Sequence, residues 1–251
     1  MTINVSHESP ITLLPESLLY NDYQYCLVHL MEEEQEYRDW FLERFRAKRP
    51  NGEILLDNSI FELKEAFDSE KYAEWCEKIK PNYYIVPDVL EDSEGTMTNF
   101  LNFTLNYKDL PGATIGAVQG KTWTEVVECY RFMAAHADYI AISFDFSMYD
   151  VTGVSNPLNP EKLMRQTTGR QQLVKRLIDE GWWDWEKPHH LLGASLAREF
   201  KWYVNNNIYN IRSLDTSNPV VAGLLGWQYN GDFGLNHKPS QLLADLIHAD
   251  P

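Results

Sequence analysis

Residues 54–90 read ILLDNSIFELKEAFDSEKYAEWCEKIKPNYYIVPDVL and hold one complete strand–helix–strand unit. The run ILLDNSI at 54–60 opens on three apolar residues and predicts a strand. ELKEAFDSEKYAEWCEKI then places Leu63, Ala66 and Phe67 at helical spacing. YYIVPDVL at 83–90 is a second strand. Two strands joined through a helix lie parallel in one sheet.

The same alternation extends in both directions. Upstream, YQYCLVHL at 23–30 predicts a strand, and MEEEQEYRDWFLERFRAK predicts a charged helix whose acids Glu32–Glu34 form a solvated face. Downstream, a helix over 96–107 precedes a strand at 114–120. Thr122, with Glu125 three residues on, has the pattern of a capping box opening WTEVVECYRFMAAH. Strands follow at 139–144, 189–195 and 208–215, separated by EKLMRQTTGRQQLVKRLIDEG, with Gly169 as its weak point, and by LAREFKWYVNNN. A further helix is expected after Asn218. Seven strand–helix alternations with no dividing linker imply one α/β domain over residues 1–251. A doubly wound sheet and a closed barrel both fit this period.

Composition sets outer bounds. A chain of 251 residues with 44% hydrophobic residues can bury a core without disulfides. The formal net charge of -15 argues against a surface that is basic all over, while leaving room for a local basic groove. Cys26, Cys76 and Cys129 are sparse and odd in number, which points to a reducing compartment, and no pair has zinc-site spacing. The start, MTINVSHESP, has neither the basic nor the apolar region of a signal peptide, and no apolar run is long enough to span a bilayer. The expectation is a soluble cytoplasmic protein without metal or cofactor.

Polar residues recur where strands end. Asp57, Asp88, Gln119, Asp145 and Asp215 each follow an apolar run. In parallel α/β folds the C-terminal strand ends carry the active site. One such Asp is most simply a helix cap or turn former. Four Asp at four strand ends would repel one another if they met in one mouth, and a fold keeps such an arrangement more readily when it does chemistry. His189 and His190 fall at a strand start and read as structural; Trp182, Trp183 and Trp185 read as a lid or rim.

Five of these elements, in order, resemble the tRNA-guanine transglycosylases. They are LLDNSIFELKEAF, VPDV, IGAVQG, YIAISF and IRSLDTSNPV, spread from Leu55 to Val220. Three departures stand beside them. The family's zinc cluster of three Cys and a His is absent, Ile142-Ser143 replaces a Gly-Gly pair, and Lys121 replaces a second Gly after Gln-Gly. The chain is most similar in size to compact DNA-acting 7-deazaguanine transglycosylases of phages and bacteria, which would place it in the host cytoplasm if phage-encoded.

The resemblance implies a single (β/α)8 TIM-like barrel. It implies exchange of guanine in nucleic acid, DNA rather than tRNA, for a 7-deazaguanine-type base. Asp215 would be the nucleophile at C1′, kept ionised with help from Arg212, and Asp57 the general acid or base. Asp88, Gln119, Gly120 and Ser143 would hold the base, with Gly116 also allowing close backbone approach. Arg165, Arg170, Lys175 and Arg176 lie in a stretch without acids and would grip phosphates. The alternatives are an N-glycosidase of the same fold acting on a nucleoside or nucleotide, and a barrel that only binds.

Overall fold

The computed structural model describes residues 2–144, 162–194, 197–229 and 243–249. Its strands are β1 Asn4–His7, β2 Gln24–Leu27, β3 Ile54–Asp57, β4 Tyr83–Ile85, β5 Ala113–Val118, β6 Tyr139–Ile142, β7 His189–Leu191 and β8 Ile211–Thr216. They form one 8-stranded sheet in the order β1-β8-β7-β6-β5-β4-β3-β2. All neighbouring pairs are parallel. The first strand therefore meets the last, and helices separate the strands: the chain is a single (β/α)8 barrel.

β1 is the strand that periodicity did not disclose. NVSH is short, and Val5 is its one aliphatic side chain. Its free edge meets that of β2 at a seam closed by side chains. Ser6 Oγ accepts from Tyr25 N at 3.0 Å and from Asn21 Nδ2 at 3.2 Å, while Val5 N donates to Asp22 Oδ2 at 2.9 Å.

Strands are shorter than their apolar runs because helices begin early. The chain turns into the helix Val28–Glu33 directly after β2, and into the one-turn helix Ile60–Leu63 after β3. The charged segment expected as one helix is broken at Glu34 and carries a π-helical turn at Trp40–Arg44. Thr122 caps Trp123–His136 as a capping box, with Glu125 Oε2 accepting from Thr122 N at 3.0 Å. Gly169 does not interrupt Lys162–Asp179.

Side chains alternate along a strand, so the residues at one end report which face points inward. Asn4, Tyr23, Leu55, Tyr83, Ile115, Tyr139 and Ser213 line a small cavity at the N-terminal floor of the barrel. Stepping by two from them toward the C-terminal end reaches Glu8, Tyr25, Asp57, Gln119, Ser143 and Asp215. On the floor side, Trp183 stacks on His189 with centroids 3.8 Å apart and donates through Nε1 to Asn210 Oδ1 at 3.0 Å. Among the described residues no helix is long and apolar enough to cross a membrane.

Candidate active site

Two polar clusters occupy the C-terminal mouth. The first is built on β1, β3 and β8. Asp57 ends β3, Asp215 is the penultimate residue of β8, and Glu8 follows β1 with its backbone N bonded to Thr216 O at 3.0 Å. Glu62 comes from the short helix Ile60–Leu63. Ser59, which leads into that helix, is left-handed at φ 58; its N–H donates to Asp57 Oδ2 at 2.8 Å, and its Oγ accepts from His29 N at 3.2 Å. A non-glycine residue held there stores strain, which tends to gather at functional sites.

The acids face one another. Burial pushes the Glu8 carboxyl well above its ordinary range, and Asp215, Glu62 and Asp57 push it further, Asp215 also through a side-chain hydrogen bond. Burial and then Glu62 raise Asp57 well above the usual carboxylate range, while the Ser59 N–H and the Tyr25 phenol act in the opposite sense. Burial and Asp215 also raise Glu62, against Lys64, and Glu62 Oε2 has no hydrogen-bond partner among the described residues. Burial raises the Tyr25 phenol well above its usual range, with Asp215 and Asp57 adding to it, so it remains a donor.

Asp215 is held by other groups. Gly193 N donates to Oδ1 and Oδ2, each at 3.1 Å, and His190 Nε2 lies 3.1 Å from Oδ1. His190 Nδ1 reaches Ser213 Oγ at 2.8 Å, and its ring stacks on Tyr25 at 6.2 Å. Arg212, expected to assist Asp215, instead lines the floor cavity at the other end of the barrel.

The second cluster is closed on itself. Asp88 is 2% exposed. Its Oδ1 accepts from Asn58 Nδ2 at 2.7 Å and its Oδ2 from Gln119 Nε2 at 2.7 Å. Gln119 Oε1 accepts from Glu91 N at 3.0 Å. Both Asp88 oxygens and both functional ends of Gln119 thus have protein partners, leaving these groups poorly placed to read a base edge. Burial raises the Asp88 carboxyl, with Asn58 and Gln119 opposing. The space at Gly120 is closed by the helix Trp123–His136 that follows it, since an added Cβ would sit 3.0 Å from Glu125 Cβ and Val126 N. Gly116 likewise makes room for Met133, whose Sδ would lie 2.4 Å from an added Cβ. Ser143 Oγ, just beyond β6, is buried and has no partner among the described residues.

The basic stretch is occupied by the chain's own acids. Arg170 is 1% exposed and pairs with Glu199 at 2.7 Å. Lys175 pairs with Asp179, and Arg176 with Glu180 at 2.7 Å. The side chain of Arg165 and all of Asp145 lie outside the described residues.

Sequence reasoning missed Glu8, Tyr25, Glu62 and His190. His189 and His190 are neighbours on one strand and so point to opposite sides. Burial lowers His189 to about 3, and it packs under Trp183, whereas His190 meets Asp215. The alternation itself was the available signal. Among the described residues no group of three or more His, Cys, Asp or Glu side chains has the geometry to hold a metal ion.

No protein-family model matches the chain, and no curated protein matches its sequence. Similar solved structures include one from Aquifex aeolicus VF5, with TM-score 0.48, 13% identity, and 89% of this chain and 85% of that chain covered. They also include 2,3-dimethylmalate lyase, a PEP mutase/isocitrate lyase superfamily member. Its trigonal form gives TM-score 0.49, 12% identity and coverage of 90% and 78%; its triclinic form gives 0.49, 12%, 99% and 90%. At these identities the likeness is one of fold.

The transglycosylase resemblance is withdrawn: neither a family model nor a curated protein supports it. Base exchange, pentosyl transfer, the N-glycosidase alternative, the 7-deazaguanine base and the nucleic-acid partner are withdrawn with it. The geometry gives the physical reason: the supposed base-reading pair is saturated internally, and Arg170, Lys175 and Arg176 are engaged by acids.

Proposed function

We propose that the chain is an enzyme that moves a proton at a carbon beside a carbonyl group of a small substrate, in reactions of the lyase or isomerase type. The observation that carries this reading is the Asp215 carboxyl, held by Gly193 N and His190, facing acids whose pKa burial raises. Asp215 would take the proton from carbon. The Tyr25 phenol and the protonated Asp57 would donate hydrogen bonds to the enolate oxygen that forms. A carboxylate base opposite a phenol and a carboxylic acid is a known solution to this problem. Glu8, hydrogen-bonded to Asp215, would let the pair accept a proton at one oxygen and release it at another. The enolate would then be reprotonated elsewhere or expel a group from the neighbouring carbon. The raised pKa values of Glu8 and Asp57 favour their neutral forms, which would lower the negative charge that a carbonyl substrate meets. Ser143 Oγ offers a further unfilled hydrogen bond.

The test is incubation with a small-molecule cell extract in D2O, followed by mass spectrometry. At least one metabolite should gain deuterium or be consumed with the wild type and neither with Asp215→Asn. Identical profiles for the wild type, Asp215→Asn and Asp57→Asn would overturn the reading.

A further inference from the structure

Arg170 lies on the helix Lys162–Asp179, and its guanidinium is fully engaged in the interior. Nε and Nη2 donate to the two oxygens of Glu199 at 2.7 and 3.0 Å, and Tyr203 Oη donates to Glu199 Oε1 at 3.0 Å. Nη1 donates to the backbone carbonyls of Ile142 at 3.1 Å and Leu192 at 2.9 Å. The first carbonyl ends β6, and the second lies one residue beyond β7. Leu192 N donates back to Ile142 O at 3.1 Å, which ties the two strand ends together.

The peptide that follows Leu192 is the one that holds Asp215. In a trans peptide the C=O and the next N–H are rigidly coplanar and point in opposite directions. Arg170 grips the carbonyl of the Leu192–Gly193 peptide, and the N–H of the same peptide is 3.1 Å from both Asp215 oxygens. Gly193 makes this possible by adopting φ +62. A cation on one side of a peptide and an anion on the other polarise it in the same sense, and hydrogen bonds in such a chain strengthen one another.

We propose that Arg170, locked by Glu199, is a positioning residue that orients and polarises the Leu192–Gly193 peptide so that its N–H fixes the Asp215 carboxylate. The inference rests on the reading of Asp215 as the base, but the contact itself is measurable without any activity. Lysine cannot replace the planar fork that serves Glu199 and two carbonyls together.

The experiment follows the Gly193 amide by NMR in 15N-labelled protein. In the wild type it should resonate downfield, with Asp215→Asn marking the position without the carboxylate. Arg170→Lys should move it toward that position and speed its hydrogen exchange by about tenfold, the scale of one lost hydrogen bond. Glu199→Gln, a milder change, should move it the same way by less. On a substrate found by the deuterium screen, kcat should fall in both variants with KM little changed. Lys175→Ala, an exposed change on the same helix, should alter neither. An ordinary position for the wild-type amide overturns the proposal outright, whether or not any variant folds. So does an unmoved amide in a folded Arg170→Lys or Glu199→Gln protein. A metabolite screen that fails beside a shifted amide would sink the functional reading and leave the positioning contact standing.

Discussion

Asp88 and Asp57 both follow an apolar strand and are both buried at the same mouth, yet their surroundings are opposite. Asp88 has a side-chain amide on each oxygen, and those amides are themselves bonded. Asp57 shares its space with Glu62, Asp215 and Glu8, so acid faces acid. The first arrangement is what a fold does with a buried carboxylate it needs for stability. The second costs stability, and folds keep such sites where chemistry is done. A strand-end Asp therefore marks a position, while the partners filling its lone pairs decide its role.

That contrast can be broken first at Asp88. Asp88→Ala strands Gln119 Nε2 and leaves Asn58 Nδ2 with only its bond to Val86 O. It should cost about 2–4 kcal/mol in urea denaturation, on the scale of two unsatisfied groups. A cost near zero would make the network dispensable.

Asp57→Asn should act with the opposite sign, and its effect should depend on pH. Because the folded-state pKa of Asp57 is raised, the native state binds more protons than the unfolded one between the two values. The stability of the wild type falls as pH rises from about 4, the unfolded carboxyl value, through the folded value. Asn removes that loss. The variant should melt higher than the wild type at pH 7–8, by about 2–4 °C for each kcal/mol relieved, and the gain should vanish toward pH 4. A pH-independent difference would contradict the raised pKa.

Glu62→Gln sharpens the same point with a smaller effect. Glu62 is less buried and has Lys64 to oppose its neighbours, so its neutralisation should stabilise by about 0.5 kcal/mol or less at neutral pH. A loss instead would show that its carboxylate has a structural partner.

Much of the barrel was legible in the sequence. The alternation of apolar runs and amphipathic segments disclosed seven strands, and Thr122 with Glu125 marked a helix start to the residue. NVSH was unreadable because a four-residue strand closed by hydroxyl and amide side chains shows no period. The strand-end rule found Asp57 and Asp215, but could not tell them from Asp88. Glu8 directly follows a short strand, and Glu62 lies on a one-turn helix; periodicity resolves neither element. For Lys175 and Arg176 the acids four residues on, Asp179 and Glu180, were visible in the sequence. The partner of Arg170, 29 residues away, was not.

The central claim is that the mouth holds protonated carboxyl groups at neutral pH. Infrared spectroscopy measures it directly, because a carboxylic acid C=O stretch is separate from the carboxylate bands. At pH 7 the wild type should show the acid band, and Asp57→Asn and Glu8→Gln should each remove part of it. A wild-type spectrum with no acid band at pH 7, or a band that both substitutions leave unchanged, would contradict the account.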